Sequence, residues 1–227
     1  MSRYRHEYKY LLDAPQEALI RLRAQALLRP DPHAGPNGSY RVRSVYFDTP
    51  EDLCLRENLE GADPRSKFRI RCYNRDASHP VLEKKSKRRG LCLKESCSLT
   101  PEECETLLAG RPVTVLPQMP PGKQALLTEL LLRELRPVCI VSYERIPFVY
   151  RGGNVRVTLD RKLTSSRDIG RFPDGDFLQR PVFAPGQSLL EVKWDEMLPP
   201  HLKENLQLDV LQWTAFSKYA LCRMAHL

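Results

Sequence analysis

Seven consecutive residues, Lys67-Phe68-Arg69-Ile70-Arg71-Cys72-Tyr73, alternate without a break between a cationic or phenolic side chain and an apolar one. A period of two belongs to an extended strand, whose successive side chains leave opposite faces, and it does not fit a helix. The same polarity returns along the chain. Arg5, Glu7 and Lys9 alternate with His6, Tyr8 and Tyr10; Glu83, Lys85 and Lys87 share a face; Arg156 stands between Val155 and Val157; Glu191 and Lys193 interleave with Leu190, Val192 and Trp194. In a single half-buried strand the charged side simply faces water. Over five strands, helices can instead cover the apolar outer faces while the charged faces enclose a polar interior.

Eight runs read as strands: Arg3 to Leu12, Tyr40 to Asp48, Lys67 to Tyr73, Val81 to Lys87, Leu91 to Ser98, Val138 to Tyr150, Val155 to Arg161 and Leu189 to Trp194. Eight strands are enough to close a barrel. Helices are expected over Gln16 to Leu28, after Thr49-Pro50, after Thr100-Pro101 with Glu103 completing a capping box, over Gln124 to Arg136 and over Thr214 to Met224. Ser165 to Gln187 reads as irregular. The fold class is therefore α+β: an eight-stranded antiparallel β-barrel with helices packed on its outside, formed by residues 1–227 as one domain.

A net charge of +8 and a pI near 9.2 point to an anionic partner. Two cations about 8 Å apart repel by roughly 2 kcal/mol at an effective dielectric of about 20. A ring of roughly six to ten inside a barrel would exceed a stability margin of about 5–15 kcal/mol, so such an interior calls for a negative occupant. Arginine offers paired hydrogen bonds to phosphate oxygens, lysine a point charge, and a carboxylate such as Glu7 or Glu191 a seat for a divalent metal that bridges phosphates. The seven cysteines contain no CxxC pair, so neither a disulfide framework nor a zinc site is expected, and the thiols should be reduced and mostly buried. Charges interrupt the first residues and no apolar run spans a bilayer; a cytoplasmic protein is expected.

Eight segments, taken in order, resemble the VTC-type polyphosphate polymerase domain of the triphosphate tunnel metalloenzymes (CYTH-like superfamily). They are Arg5-His6-Glu7-Tyr8-Lys9-Tyr10, Ser44-Val45-Tyr46-Phe47-Asp48-Thr49-Pro50, Lys67-Phe68-Arg69-Ile70-Arg71, Leu82-Glu83-Lys84-Lys85, Tyr143-Glu144-Arg145, Val155-Arg156-Val157-Thr158-Leu159-Asp160, Leu190-Glu191-Val192-Lys193 and Phe216-Ser217-Lys218-Tyr219. The resemblance implies an eight-stranded tunnel and metal-dependent transfer of the terminal phosphoryl group of ATP onto a growing polyphosphate chain. It implies phosphate-binding and catalytic roles for Lys9, Arg69, Arg71, Lys85, Arg145, Arg156 and Lys218, with Lys94 and Tyr143 also contacting phosphate. Glu191 would hold a divalent metal, Mn or Mg. Glu7 would either share that metal or orient water, or else hold Lys9 or a neighbour in an ion pair.

The implied partners are ATP and polyphosphate, with no nucleic acid; a separate membrane partner stays open. Tunnel hydrolases of the superfamily begin with an ExExK pattern, and Arg5 stands here in place of its first glutamate. Two other readings therefore remain: a triphosphatase acting on inorganic, nucleoside or thiamine triphosphate, and a non-catalytic barrel binding polyphosphate or RNA. Lys84, Lys87, Arg88 and Arg89 are expected to form a solvated turn, and Tyr8, Tyr10 and Phe68 to belong to the outer core.

Overall fold

The computed structural model describes residues 4–74 and 76–226; Arg3, where the first expected strand begins, lies outside them. The elements run β1 (His6–Leu12), α1 (Ala14–Leu27), β2 (Arg29–Pro30), β3 (Tyr40–Asp48), α2 (Leu53–Leu59), β4 (Arg65–Tyr73), β5 (Asp76–Arg88), β6 (Leu91–Ser98), α3 (Pro101–Leu108), α4 (Pro121–Leu132), β7 (Arg136–Tyr150), β8 (Val155–Ser166), β9 (Arg180–Pro181), β10 (Ser188–Trp194), α5 (Pro200–Asn205) and α6 (Lys218–Met224). All eight expected strands are present. Eight strands form one antiparallel sheet in the order β1-β10-β8-β7-β3-β4-β5-β6, with the two-residue β2 and β9 added on β7 and β8. The sheet curls until its two edges meet, where Arg5 and Cys92 exchange backbone hydrogen bonds of 2.9 and 3.1 Å.

The alternation seen in the sequence sorts side chains between the two faces of this curl. Phe68, Ile70 and Cys72 of β4 are buried in an outer apolar cluster with Val45 and Phe47 of β3, Leu107 and Leu108 of α3, and Leu126, Leu127 and Leu130 of α4. A second cluster joins Leu190, Val192 and Trp194 of β10, Val157 and Leu159 of β8, Ile20 and Ala24 of α1 and Leu202 of α5. Burial of this kind stabilises by about 25 cal/mol per Å² of apolar surface, so the helices hold the barrel from outside and leave its interior to polar groups. Tyr10 and Phe68 lie in the core as expected, but Tyr8 is 39% exposed, edge-on to Trp194.

Several element ends differ from expectation for local reasons. The helix foreseen after Thr49-Pro50 begins only at Leu53, because Asp48 takes the amides of Cys54 (2.7 Å) and Leu55 (3.0 Å) and the Thr49 hydroxyl takes that of Leu53. α4 starts at Pro121 and ends before Glu134, whose φ of 51° breaks the helical path, so Arg136 opens β7 instead. Thr214 does not begin α6; its amide donates to the Lys9 carbonyl at 2.9 Å, and Trp213 bridges Tyr10. α3 carries the expected Thr100–Glu103 capping box. Arg89 and Gly90, both at positive φ, make the β5–β6 turn, with Asp63 accepting from both amides. Lys84 lies outside that turn, on the outer face against Glu129 and Phe68.

The carboxylate of Asp48 also accepts the Tyr219 hydroxyl, and thereby ties the end of β3 to α6. It is fully buried and meets four donors, three of them backbone amides. Removing it strands those donors away from water. Asp48→Ala is expected to cost about 3 kcal/mol or more and Tyr219→Phe about 1–2 kcal/mol, measured by urea unfolding. A loss below about 0.5 kcal/mol for Asp48→Ala would refute its part in anchoring α6.

Candidate active site

The charged faces of seven strands enclose a cavity of about 480 Å³. Eleven of its lining side chains are lysine or arginine, against two carboxylates, Glu7 and Glu191. Every residue singled out for the site lines it: Lys9 from β1, Arg69 and Arg71 from β4, Lys85 from β5, Lys94 from β6, Tyr143 and Arg145 from β7, Arg156 from β8, Lys218 from α6, with Glu7 and Glu191. The four arginines converge on this one interior.

Strand register explains how so many cations share the space. Lys9 stands opposite Glu191, Lys193 opposite Glu7, Arg69 opposite Glu83 and Arg145 opposite Asp160. Glu83 pairs with Arg69 at 2.7 Å and Lys94 at 3.1 Å, with Arg71 at 3.6 Å. Asp160 takes two parallel bonds from Arg145, at 2.6 and 2.7 Å, and pairs with Lys218 at 2.6 Å. Lys218 also reaches Glu191 at 2.6 Å. A ring of cations was expected to need an anion simply to fold; these buried carboxylates correct that expectation by supplying part of the countercharge from the wall itself. Tyrosines brace the guanidinium groups: Arg69 donates to Tyr46 at 2.8 Å, Arg156 to Tyr40 at 2.9 Å, and Arg71 to Tyr143 at 3.4 Å. Arg156 is held from the other side by Asp31 at 2.8 Å.

The electrostatics follow. Burial acts to raise the carboxyls of Glu7, Glu83, Asp160 and Glu191, but the neighbouring cations outweigh it and hold all four below their ordinary values. Burial would likewise strip the proton from Lys85 and Lys218, yet Glu7 in one case and Asp160 with Glu191 in the other push both ammonium groups up. The Tyr143 phenol, raised by burial, ends lower than usual because Arg145 and Arg71 face it.

Glu7 is ion-paired: it meets Lys85 at 2.7 Å, Lys193 at 3.2 Å and Lys9 at 3.6 Å. Lys193 lies 2.9 Å from Glu191 as well, so one ammonium bridges the two acids expected at a metal. Both oxygens of each carboxylate are engaged by cations. No group of three or more His, Cys, Asp or Glu side chains suited to a metal occurs among the described residues. Glu7 and Glu191 thus do not fit a cation seat formed by the protein alone. Arg5, which replaces the first acid of the hydrolase pattern, pairs with Asp195 at 2.7 Å.

Lys67, Lys193, Glu83, Asp160 and Tyr46 belong to the same constellation but escaped the assignment. For four of them the signal was parity, since Lys67, Lys193, Glu83 and Asp160 each lie an even number of residues from a recognised site residue on the same strand; β3, which carries Tyr46, held no recognised residue to count from. The seven cysteines are free, and five are buried; burial raises Cys54, Cys104 and Cys222 to about 12.

The model of one protein family, described as the VTC domain, matches residues 4–226. No curated protein matches the chain. Among solved structures, a candidate adenylyl cyclase from Hippeastrum, described as having a dominant triphosphatase activity, is similar over 97% of both chains at 17% identity and a TM-score of 0.54. A candidate adenylate cyclase from Bacillus halodurans is similar over 92% of this chain and 89% of its own, at 17% identity and 0.53. A protein from Pyrococcus horikoshii is similar over 98% and 99% of the two chains, at 13% identity and 0.52. These likenesses establish the triphosphate tunnel fold.

Depressed carboxyls carry a pH signature. Between the ordinary values of 3.8 for aspartate and 4.5 for glutamate and the lower folded values, the unfolded chain binds more protons than the folded one. The stabilisation is therefore complete above about 4.5 and is lost as pH falls through the folded values. Glu83→Gln should lower stability by about 3–5 kcal/mol at pH 7, with the deficit narrowing towards pH 3. A deficit that stays constant across denaturation curves from pH 7 to 3 would show that Glu83 does not carry this linkage.

Proposed function

Because the chain belongs to the VTC domain family, we propose that it is an ATP:polyphosphate phosphotransferase that works inside its cationic tunnel. The observation that carries this reading is the state of the acids. Both carboxylates lining the cavity are paired with cations and held below their usual values, and neither is free to accept a proton. Attack by water gains about 10²–10⁴-fold from a positioned base that removes its proton. Attack by the terminal oxygen of a phosphate chain does not, since that oxygen is already an anion.

In the proposed reaction a terminal oxygen of polyphosphate forms a bond to the γ-phosphorus of ATP. The bond from that phosphorus to the β,γ-bridging oxygen breaks, ADP leaves with the electron pair, and the chain is longer by one phosphate. Such transfer asks the protein for alignment and for neutralisation of charge on the equatorial and leaving oxygens. Arg69, Arg71, Arg145 and Arg156, fixed by acids and tyrosines, present preset donors for that purpose. Lys9, Lys85, Lys94 and Lys218 add point charges, and Tyr143 a phenol. A divalent cation, Mg²⁺ or Mn²⁺, enters this scheme as the nucleotide's own counter-ion, and no step is assigned to a protein-held metal.

Hydrolysis is the second reading, favoured by the described triphosphatase activity of the similar Hippeastrum protein. Product analysis separates the two. Incubation with ATP and Mg²⁺ or Mn²⁺ is expected to give ADP and a ladder of lengthening polyphosphate on a gel; ADP with orthophosphate alone would identify a hydrolase. Lys94, with a side chain 56% exposed, offers a variant that spares the fold. Lys94→Ala should change stability by less than about 0.5 kcal/mol and lower kcat/KM by about ten-fold; unchanged kcat/KM would remove Lys94 from the phosphate path.

A further inference from the structure

Across β4, β5 and β6 the ladder sets Lys67 opposite Lys85 and Lys85 opposite Lys94, three ammonium groups in one cross-strand row. Like charges placed directly across strands destabilise a sheet unless something neutralises them. Lys85 has Glu7, and Lys94 has Glu83. Among the described residues Lys67 has no carboxylate partner. Its ammonium donates to the Ser217 hydroxyl at 2.8 Å and lies 5.8 Å from the centre of the Tyr219 ring.

Among the described residues, no group facing Lys67 makes up the deficit. Lys9 approaches from β1, Lys85 from β5, and Arg65 and Arg69 from its own strand. Glu7 on β1 is engaged by Lys85, Lys193 and Lys9, and Glu191 on β10 by Lys218, Lys193 and Arg145. Lys67 nevertheless lines the cavity, as do Lys9 and Ser217. Lys9 donates to the Phe216 carbonyl at 2.9 Å, so both lysines reach the same stretch of chain just before α6. The Ser217 oxygen accepts from Lys67 and from the Ala220 amide, which leaves its own proton free for an anion.

We propose that Lys67, with Lys9 and Ser217, forms a phosphate subsite in which a phosphate of the bound chain serves as the counter-ion that the protein withholds from Lys67. This deepens the phosphotransferase reading and rests on it. The family resemblance gives phosphate roles to Arg69 and Arg71 of this strand and none to Lys67.

Occupancy of this subsite is linked to a proton. Burial, then Lys9, Lys85, Arg65 and Arg69, press the free Lys67 ammonium well below its ordinary value of 10.5. A phosphate seated on it favours the charged form, so the complex binds more protons than the free protein. Affinity therefore weakens as pH rises through the free-state value of Lys67.

Calorimetric titration of the full chain with inorganic tripolyphosphate, in buffers of different ionisation enthalpy at pH 7, 8 and 9, measures the protons exchanged. The comparison is between the wild type, Lys67→Met and Lys67→Arg, because the ligand's own protons are common to all three and arginine stays charged. The wild type should take up more protons than Lys67→Arg, and the difference should grow with pH. Lys67→Met should bind at least about ten-fold more weakly. With an uncompensated charge removed, it should also melt at a higher temperature than the wild type without ligand.

Equal proton exchange in the wild type and Lys67→Arg, or undiminished affinity in Lys67→Met, would overturn the subsite while leaving the phosphate-binding tunnel in place. Failure of the wild type itself to bind tripolyphosphate would overturn both.

Discussion

The structure depends on placing eleven cations around one enclosed space without letting their repulsion open it. Asp31 and Asp195 hold Arg156 and Arg5; four further acids serve most of the rest, and they do it through register. Lys9 against Glu191, Lys193 against Glu7, Arg69 against Glu83 and Arg145 against Asp160 are neighbours because the strands pair as they do. A slip of one residue in any of these ladders would turn the cations into the helix-covered apolar layer and the aliphatic side chains into the cavity. Outer packing and inner charge thus select the same alignment. Breaking a buried pair by removing one partner is costly because it strands the other, which keeps the acids as necessary as the bases.

The same pairing constrains the chemistry. An acid that neutralises two or three cations is held in its ionised form and is a poor base. The interior therefore provides fixed positive charge and oriented donors. A surface rich in lysine would bind polyanions of many shapes, whereas here the cations face inward between walls covered by α1, α3, α4 and α5. A slender chain of phosphates can be surrounded by such a lining, with successive oxygens meeting donors from different strands at once.

How much of this was legible in the sequence follows from what period-two patterning encodes. It states which residues share a face, and so the inward set Lys9, Arg69, Arg71, Lys85, Arg156 and Glu191 could be named, together with all eight strands. It does not state which face neighbours which. That Glu83 lies behind Arg69 and Arg71, or that Asp160 lies between Arg145 and Lys218, depends on the sheet order and on α6, both set by long-range pairing. The metal role expected of Glu191 came from the family resemblance and that of Glu7 was left open beside an ion pair; that Lys193 stands between the two acids became visible only once β1 and β10 were in register. Helix ends were misplaced wherever tertiary bonds captured the terminal amides, as Asp48 does for Cys54 and Leu55 and as Lys9 does for Thr214.

One imbalance survives this neutralisation, and its position is informative. Acid partners are densest where β1, β10 and α6 meet around Glu7, Asp160 and Glu191, and around Glu83 on the opposite wall. Between these groups, along the Lys67–Lys85–Lys94 row, the compensation is incomplete and the missing partner is that of Lys67. If every cation were fully paired, an incoming anion would have to compete with a carboxylate for each one. A lone uncompensated ammonium lets the first phosphate gain a contact without displacing anything, after which the paired arginines can share their remaining donors with the rest of the chain. Full neutralisation would make the barrel more stable and its cavity less receptive, and the row at Lys67 is where the fold gives up stability for occupancy.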